Sequence, residues 1–146
     1  MKQTLTRRMA RLLAAVAIGG AASMLLTAPA KAGPDGADGL CSSGELCLYR
    51  LLAGGERVDY YYPDFDFTDD NYWYLTGSIW AQSYLTVNNT ASRAENRDVT
   101  CSAVLWQLVG GSGTSVVMYP GMRISDMADV GFDFDNKASA VTWRCP

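Results

Sequence analysis

An internal repeat limits the fold of this chain more than any other feature of its sequence. Residues 88–92 (NNTAS) and residues 135–139 (DNKAS) share the pattern Asx-Asn-x-Ala-Ser, and each segment follows an apolar residue. Upstream, a shift of 57 positions aligns about twenty residues without a gap, including the pairs Tyr49/Trp106, Gly54/Gly111 and Pro63/Pro120. Such agreement in a short chain indicates two tandem homologous units, at about residues 41–98 and 101–145, the first with ten extra residues between Asp70 and Val87.

Both units have the sequence pattern of short β-strands. Short runs of apolar, aromatic and β-branched residues alternate with Gly-Gly and Tyr-Pro turns, at residues 46–49, 56–61, 103–106, 114–119 and 140–143. Helical periodicity is not evident after residue 32. Four short strands per unit, with a longer connection before the last, predict an all-β fold in which two Greek keys pack as a β-sandwich.

The N-terminal segment has the composition of a secretory signal peptide. Residues 1–32 combine a basic start, an apolar run at residues 12–26 and small residues before position 33. The run is 15 residues long and contains Gly19 and Gly20, whereas a membrane-spanning helix needs about 20 apolar residues. We therefore predict a signal peptide over residues 1–32 rather than a membrane anchor, followed by one secreted, extracellular domain over residues 33–146.

The charge of the exported part limits its partners. All 15 acidic residues but only 7 of the 12 basic residues lie after residue 32, which sets the formal net charge of residues 33–146 at −8. A domain this acidic should avoid nucleic acid and anionic membrane surfaces. We expect a monomer with neither type of partner.

Four cysteines in an exported chain predict two disulfides. Three pairings of Cys41, Cys47, Cys101 and Cys145 are possible. We favour Cys41–Cys47, which would close a Ser-Ser-Gly turn, and Cys101–Cys145, which would tie the second unit to the C-terminus. A zinc site is not expected, because the chain has no His and its cysteines lack zinc-finger spacing.

The repeated pattern carries a family resemblance. An aromatic strand that ends in Gly-Gly, followed after some 35 to 40 residues by an Asx/Ser motif, resembles the βγ-crystallin Greek key. Residues 41–49 (CSSGELCLY), the NNTAS motif and the signal peptide further resemble the secreted bacterial peptidase inhibitors typified by the Streptomyces metalloproteinase inhibitor. This resemblance implies a disulfide-stapled inhibitor of extracellular metallopeptidases that needs no cofactor and presents a rigid, substrate-like loop to its target.

The inhibitory segment itself is not located by any motif. Residues 72–80 and 110–115 are the candidates, because the first is an insertion rich in aromatic residues and the second is a turn. Four aromatic residues are the candidate contacts with an extracellular peptidase: Tyr72, Trp73, Tyr74 and Trp80. The structural alternative is that the apolar side chains of this insertion cover one end of the sandwich.

The βγ-crystallin resemblance implies an alternative function, a calcium-binding module with a binding or envelope-structural role. The implied oxygen donors come from Asn88, Asn89, Thr90, Ser92, Asp135, Asn136, Lys137 and Ser139, with Thr90 and Lys137 contributing backbone carbonyls. The chain departs from the family pattern at the sixth motif position, where Arg93 and Ala140 replace Ser. The same residues would also suit Asx and Ser/Thr turns that bind no ion.

Catalysis is not expected from this composition. Without His, the common general base and the Ser-His and Cys-His nucleophile pairs are absent. The acidic run Asp64, Asp66, Asp69 and Asp70 is typical of a solvated loop more than of paired catalytic carboxylates. We therefore predict a binding protein and not an enzyme.

Overall fold

The computed structural model describes residues 38–146, so the predicted signal peptide lies outside the described residues. Within this range the strands are β1 Leu46–Tyr49, β2 Arg57–Tyr60, β3 Asn71–Thr76, β4 Ile79–Thr86, β5 Arg93–Asn96, β6 Ser102–Leu108, β7 Ser112–Met118, β8 Arg123–Ile124 and β9 Ala140–Arg144. A single turn of 3₁₀ helix, Met127–Asp129, lies between β8 and β9. The expected strands of both units are present at the predicted places.

The strands form two antiparallel sheets. The larger sheet has the order β4-β3-β2-β1-β5-β8, and the smaller has the order β7-β6-β9. In each sheet the first strand of a unit lies between that unit's second strand and its last strand, as in a Greek key. The predicted all-β fold of two Greek keys with two disulfides is confirmed.

Each sheet ends in a segment that belongs to the other unit. Strand β8 of the second unit pairs with β5 of the first, with Ala94 opposite Ile124. In the reverse direction, Asp64 of the first unit forms a bridge to Val141 of β9, with backbone N–O distances of 2.9 and 2.6 Å. Because the units exchange segments, neither sheet is complete without both halves of the chain.

The first unit differs from the expected four strands. Its extra residues form the β3–β4 hairpin, which extends the larger sheet beyond β2 through the pair Arg57–Trp73. A two-residue turn joins the hairpin strands between the paired residues Thr76 and Ile79, and Gly77 adopts a φ of 61° there. Two segments rich in aromatic and apolar residues, separated by a short Gly-Ser turn, favour a hairpin over the predicted loop.

The core lies between the two sheets and draws on both units. The largest fully buried side chains are Leu46, Leu48, Val58, Tyr60, Phe67, Tyr72, Val87, Val104, Leu105, Met118, Met127 and Phe134. Tyr60 and Phe67 stack with ring centroids 4.7 Å apart, and the Tyr60 hydroxyl donates a hydrogen bond of 2.8 Å to Asp70. Phe67 follows the segment that crosses to the other sheet, so its burial helps to hold that exchange in place.

Two disulfides brace the periphery of this core. They join Cys41 to Cys47 and Cys101 to Cys145, which is the pairing favoured from the sequence. Disulfides of this kind persist in oxidising compartments. Between residues 38 and 146, no helix is long and apolar enough to cross a membrane.

Candidate functional site

The two Asx/Ser motifs meet where the units face each other. The backbone N–H of Asn89 donates to the carbonyl of Ala138 at 2.9 Å, and the N–H of Asn136 donates to the carbonyl of Ala91 at 3.0 Å. These two bonds are equivalent under the repeat, since each runs from the second motif residue of one unit to the fourth of the other. The motifs that the sequence placed in separate units therefore form one paired site.

The second position of each motif has a backbone conformation that favours Asn. Asn89 and Asn136 have φ angles of 56° and 53°, a left-handed conformation that Asn tolerates better than most residues. The preceding turns also match, because Thr90 N–H donates to the Val87 carbonyl and Lys137 N–H to that of Phe134. Turn geometry thus accounts for this position without any ligand.

Turn geometry does not account for the first position. Oδ1 of Asn88 and Oδ1 of Asp135 are both buried and have no hydrogen-bond partner among the described residues. The other carboxylate oxygen of Asp135 accepts a bond of 2.7 Å from Nδ2 of Asn136. Buried oxygens are nearly always paired in native proteins, so the first motif position is the one at which the turns leave an oxygen available to a further group.

The third and fifth positions make the two halves of the site unequal. Ser139 is 2% exposed, and its hydroxyl donates a hydrogen bond of 3.1 Å to Oδ1 of Asn89. The equivalent pair, Ser92 and Asn136, lines an open groove instead. Thr90, in the third position, donates its hydroxyl to the carbonyl of Thr86 at 2.6 Å, so its side chain supports the turn.

The donor set suits a hard cation. In residues 38–146 no group of three or more His, Cys, Asp and Glu side chains converges on a metal position. The available donors are the amide oxygen of Asn88, the carboxylate of Asp135, the hydroxyl of Ser92 and backbone carbonyls, because the side chains of Asn89 and Ser139 bond each other. Such neutral oxygen donors with one carboxylate fit calcium better than a transition metal, and the low charge predicts a weak site.

The architecture itself is recognised by comparison with known proteins. No protein-family model matches the chain, and no curated protein matches it. A solved structure from work on the evolution of the eye lens βγ-crystallin domain fold matches it with a TM-score of 0.54 and 13% identity, over 72% of this chain and 89% of that chain. The chain has the βγ-crystallin fold. The resemblance to peptidase inhibitors stays a prediction.

Two cationic side chains beside the motifs have their own partners. The guanidinium of Arg93 lies 4.3 Å from the centre of the Tyr49 ring, and its Nη2 is 3.8 Å from the carboxylate of Glu95. Lys137 donates to the backbone carbonyl of Asp133, and its Nζ is 3.5 Å from the carboxylate of the same residue. Because both charges are offset locally, they oppose a cation at the motifs less than the sequence suggests.

The four predicted contact residues do not share one surface. Tyr72 is fully buried in the core, and its hydroxyl oxygen lies 3.2 Å from that of Thr90, so the prediction that it contacts a partner is wrong. Trp73 and Trp80 are half-buried, and the Arg57 guanidinium lies 4.3 Å from the Trp80 ring centre. Tyr74 is 40% exposed. Burial falls along β3 from Tyr72, which lies beside the core, to Tyr74, which lies nearer the exposed turn of the hairpin.

Exposed apolar side chains missed by the sequence analysis lie on the same hairpin. Ile79 is 70% exposed at its turn, Leu75 is 55% exposed beside it, and Tyr84 is fully exposed on β4. The available signal was the absence of any charged residue from position 71 to position 92. In a domain this acidic, an uncharged hairpin is the part most suited to contact.

A buried carboxyl group was also missed. Asp59 on β2 is fully buried and accepts hydrogen bonds from the backbone N–H groups of Asp38 (3.2 Å) and Gly39 (2.6 Å). Burial raises its pKa to about 6, with smaller contributions from the nearby charges of Glu45 and Asp38, although the two N–H bonds oppose the shift. Asp59 therefore anchors Asp38 and Gly39 against β2.

Proposed function

We propose that this protein is a secreted βγ-crystallin module that binds calcium through its paired Asx/Ser motifs. The observation that carries the proposal is the pair of buried, unpartnered oxygens of Asn88 and Asp135. They occupy the first position of the two motifs, and the reciprocal bonds of Asn89 and Asn136 hold the motifs face to face. A cation near each first position would satisfy both oxygens.

Some motif residues would bind the cation, and others hold those residues in position. Asn88, Asp135, Ser92 and the carbonyls of Thr90 and Lys137 are the oxygen donors available at the paired site. Asn89, Asn136 and Ser139 position them, because their hydrogen bonds join the two turns. Bound calcium supplies a further link between the units, which stabilises the folded state.

The expected affinity is low and suits an extracellular protein. One carboxylate in the two motifs leaves most ligation to neutral oxygens, and extracellular calcium modules bind at about 10⁻⁴ to 10⁻³ M. At such concentrations the ion acts as a structural ligand rather than a signal. The biological role that follows is a rigid extracellular binding or envelope-associated domain.

Isothermal titration calorimetry with calcium after treatment with a chelator tests this proposal. We expect saturable binding and a rise in melting temperature with calcium, with a smaller effect of magnesium, which needs a more regular octahedral site. A titration without binding heat and without a change in melting temperature would contradict the proposal and leave the motifs as turns alone.

Peptidase inhibition is the second candidate function, and the exposed apolar hairpin favours it. Leu75 and Ile79 project at the turn of the β3–β4 hairpin, where they could enter a hydrophobic specificity pocket. The pairing of β3 with β4 continues to Thr76 and Ile79, which constrains that turn and would limit the entropy lost on binding. Stoichiometric loss of thermolysin-like activity, with a serine peptidase as control, is expected if this function holds; unchanged activity of both enzymes would reject it.

A further inference from the structure

A groove adjoins the open half of the paired motifs. Its volume is about 440 Å³, and it lies between the chain after β1, the end of β4 and the motif residues of both units. That volume falls within the range of about 300 to 1,000 Å³ that is usual for small-ligand sites. Because three parts of the fold contribute to the lining, both polar and apolar side chains border the groove.

Four of the lining residues are polar and uncharged. They are Thr90 and Ser92 of the first motif, Asn136 of the second, and Thr86 at the end of β4. The hydroxyl of Thr90 is occupied by the carbonyls of Thr86 and Val87. Ser92 and the amide oxygen of Asn136 remain as hydrogen-bonding groups for a ligand, since Nδ2 of Asn136 is used by Asp135.

The remaining uncharged lining residues are apolar or aromatic. They are Tyr84, Leu85 and Leu51, and the exposed fractions of the two leucines are 44% and 46%. Tyr84 is fully exposed, so its ring is a platform that no part of the described chain covers. Aromatic side chains with this exposure are typical of recognition surfaces.

The charge at the groove is balanced. Arg50 is the charged residue in its lining, and its Nε donates to the carboxylate of Glu56. A free anion would have to compete with Glu56 and approach a domain of net charge −8. The terminal nitrogens of Arg50 can still donate hydrogen bonds to a neutral acceptor.

We propose that this groove binds an uncharged saccharide of about one or two rings. A sugar ring presents an apolar C–H face, which can stack on Tyr84, and a rim of hydroxyls, which can bond Ser92, Asn136 and Arg50. A purely apolar ligand would leave the polar side chains of the groove without hydrogen-bond partners, at a cost in free energy. A small polar ligand without an apolar face would not use the exposed ring.

This inference goes beyond calcium binding and does not require it, because the side chains named bind the sugar directly. The groove nevertheless includes Ser92 and Asn136, which also belong to the paired motifs. The test is therefore carried out in the presence of a calcium chelator. Failure of saccharide binding then says nothing about calcium, and failure of calcium binding says nothing about the groove.

The experiment is titration of the isotope-labelled secreted protein with cellobiose, maltose and N,N′-diacetylchitobiose, followed by ¹H–¹⁵N NMR. We expect at least one sugar to cause saturable shifts confined to the amides of Leu51, Tyr84, Ser92 and Asn136, with Kd in the millimolar range that a shallow site supports. Shifts that are absent, or scattered over the surface, with all three sugars would overturn the proposal.

Variants make the test specific. Tyr84→Ala should weaken binding by about tenfold, and Tyr84→Trp should preserve it because the stacking platform remains. Tyr119→Ala is the matched control, since Tyr119 is 66% exposed and lies outside the groove. Equal affinity of Tyr84→Ala and the wild-type protein would also overturn the proposal.

Discussion

The hydroxyl of Ser139 donates a hydrogen bond of 3.1 Å to the side-chain oxygen of Asn89, which lies 50 residues earlier in the chain. This bond closes one half of the paired motifs, whereas Ser92 and Asn136 of the other half line an open groove. A repeat that is nearly symmetric in sequence is thus asymmetric in structure. The half that contains Asn89 and Ser139 links the two units, and the half that contains Ser92 and Asn136 borders the groove.

Ser139→Ala should destabilise the protein, because it removes this buried link between the units. We expect a loss of about 1 kcal/mol in the free energy of unfolding, measured by urea denaturation in a chelator. Ser92→Ala is the matched control and should cost less, since Ser92 is half-buried and faces the groove. Equal effects of the two substitutions would contradict the asymmetry of the site.

Calcium affinity should follow the charge at the first motif position. Asp135→Asn should weaken calcium binding by about tenfold, and Asn88→Asp should strengthen it by a similar factor, because charge tunes such sites. Calorimetric titration measures both changes. Asp129→Asn, an exposed acid outside the motifs, should leave the affinity unchanged. Affinity that does not respond to either motif substitution would place the ion elsewhere.

Stability should fall as pH rises through about 6, because burial raises the pKa of Asp59 to about that value from 3.8. A folded-state pKa above the unfolded value means that this contribution is fully present below pH 3.8 and lost above about 6. Burial raises the pKa of Glu45 as well, which acts in the same direction.

Asp59→Asn should therefore reduce, without abolishing, the decline in urea midpoint between pH 5 and pH 7. The variant keeps one of the two N–H bonds, because Asp38 and Gly39 donate to different carboxylate oxygens and Asn has a single side-chain oxygen. Asp69→Asn removes an exposed acid and serves as the control. An unchanged pH profile in the Asp59 variant would show that this carboxyl is not the titrating group.

The two disulfides should contribute unequally to stability. Cys101–Cys145 spans 44 positions and Cys41–Cys47 spans 6, and chain entropy predicts contributions of about 4 and about 2.4 kcal/mol. Paired Cys→Ala variants, compared by urea denaturation, check this order. A larger loss from the shorter loop would show that packing around Cys41 and Cys47 outweighs loop entropy.

Strands, turns and disulfides could be predicted from patterns of neighbouring residues in the sequence. Apolar runs such as residues 46–49 and 140–143 became β1 and β9, because a short continuous apolar run fits a strand that is buried on both faces, as all four residues of β1 are. The repeated Asn at positions 89 and 136 marked turns that need a left-handed residue. The hairpin was expected as a loop, because its burial pattern depends on β2, which pairs with it.

By itself, the sequence determined that the chain is a tandem β repeat, which residues stand at equivalent places in its motifs, and that its four cysteines can form two pairs. These properties follow from spacing along the chain. Only the tertiary structure decided that Asn88 and Asp135 keep buried, unpaired oxygens, that Tyr72 is core rather than surface, and that Tyr84 borders a groove. Burial and unpaired polar atoms depend on contacts between residues distant in sequence, and packing of the two units creates those contacts.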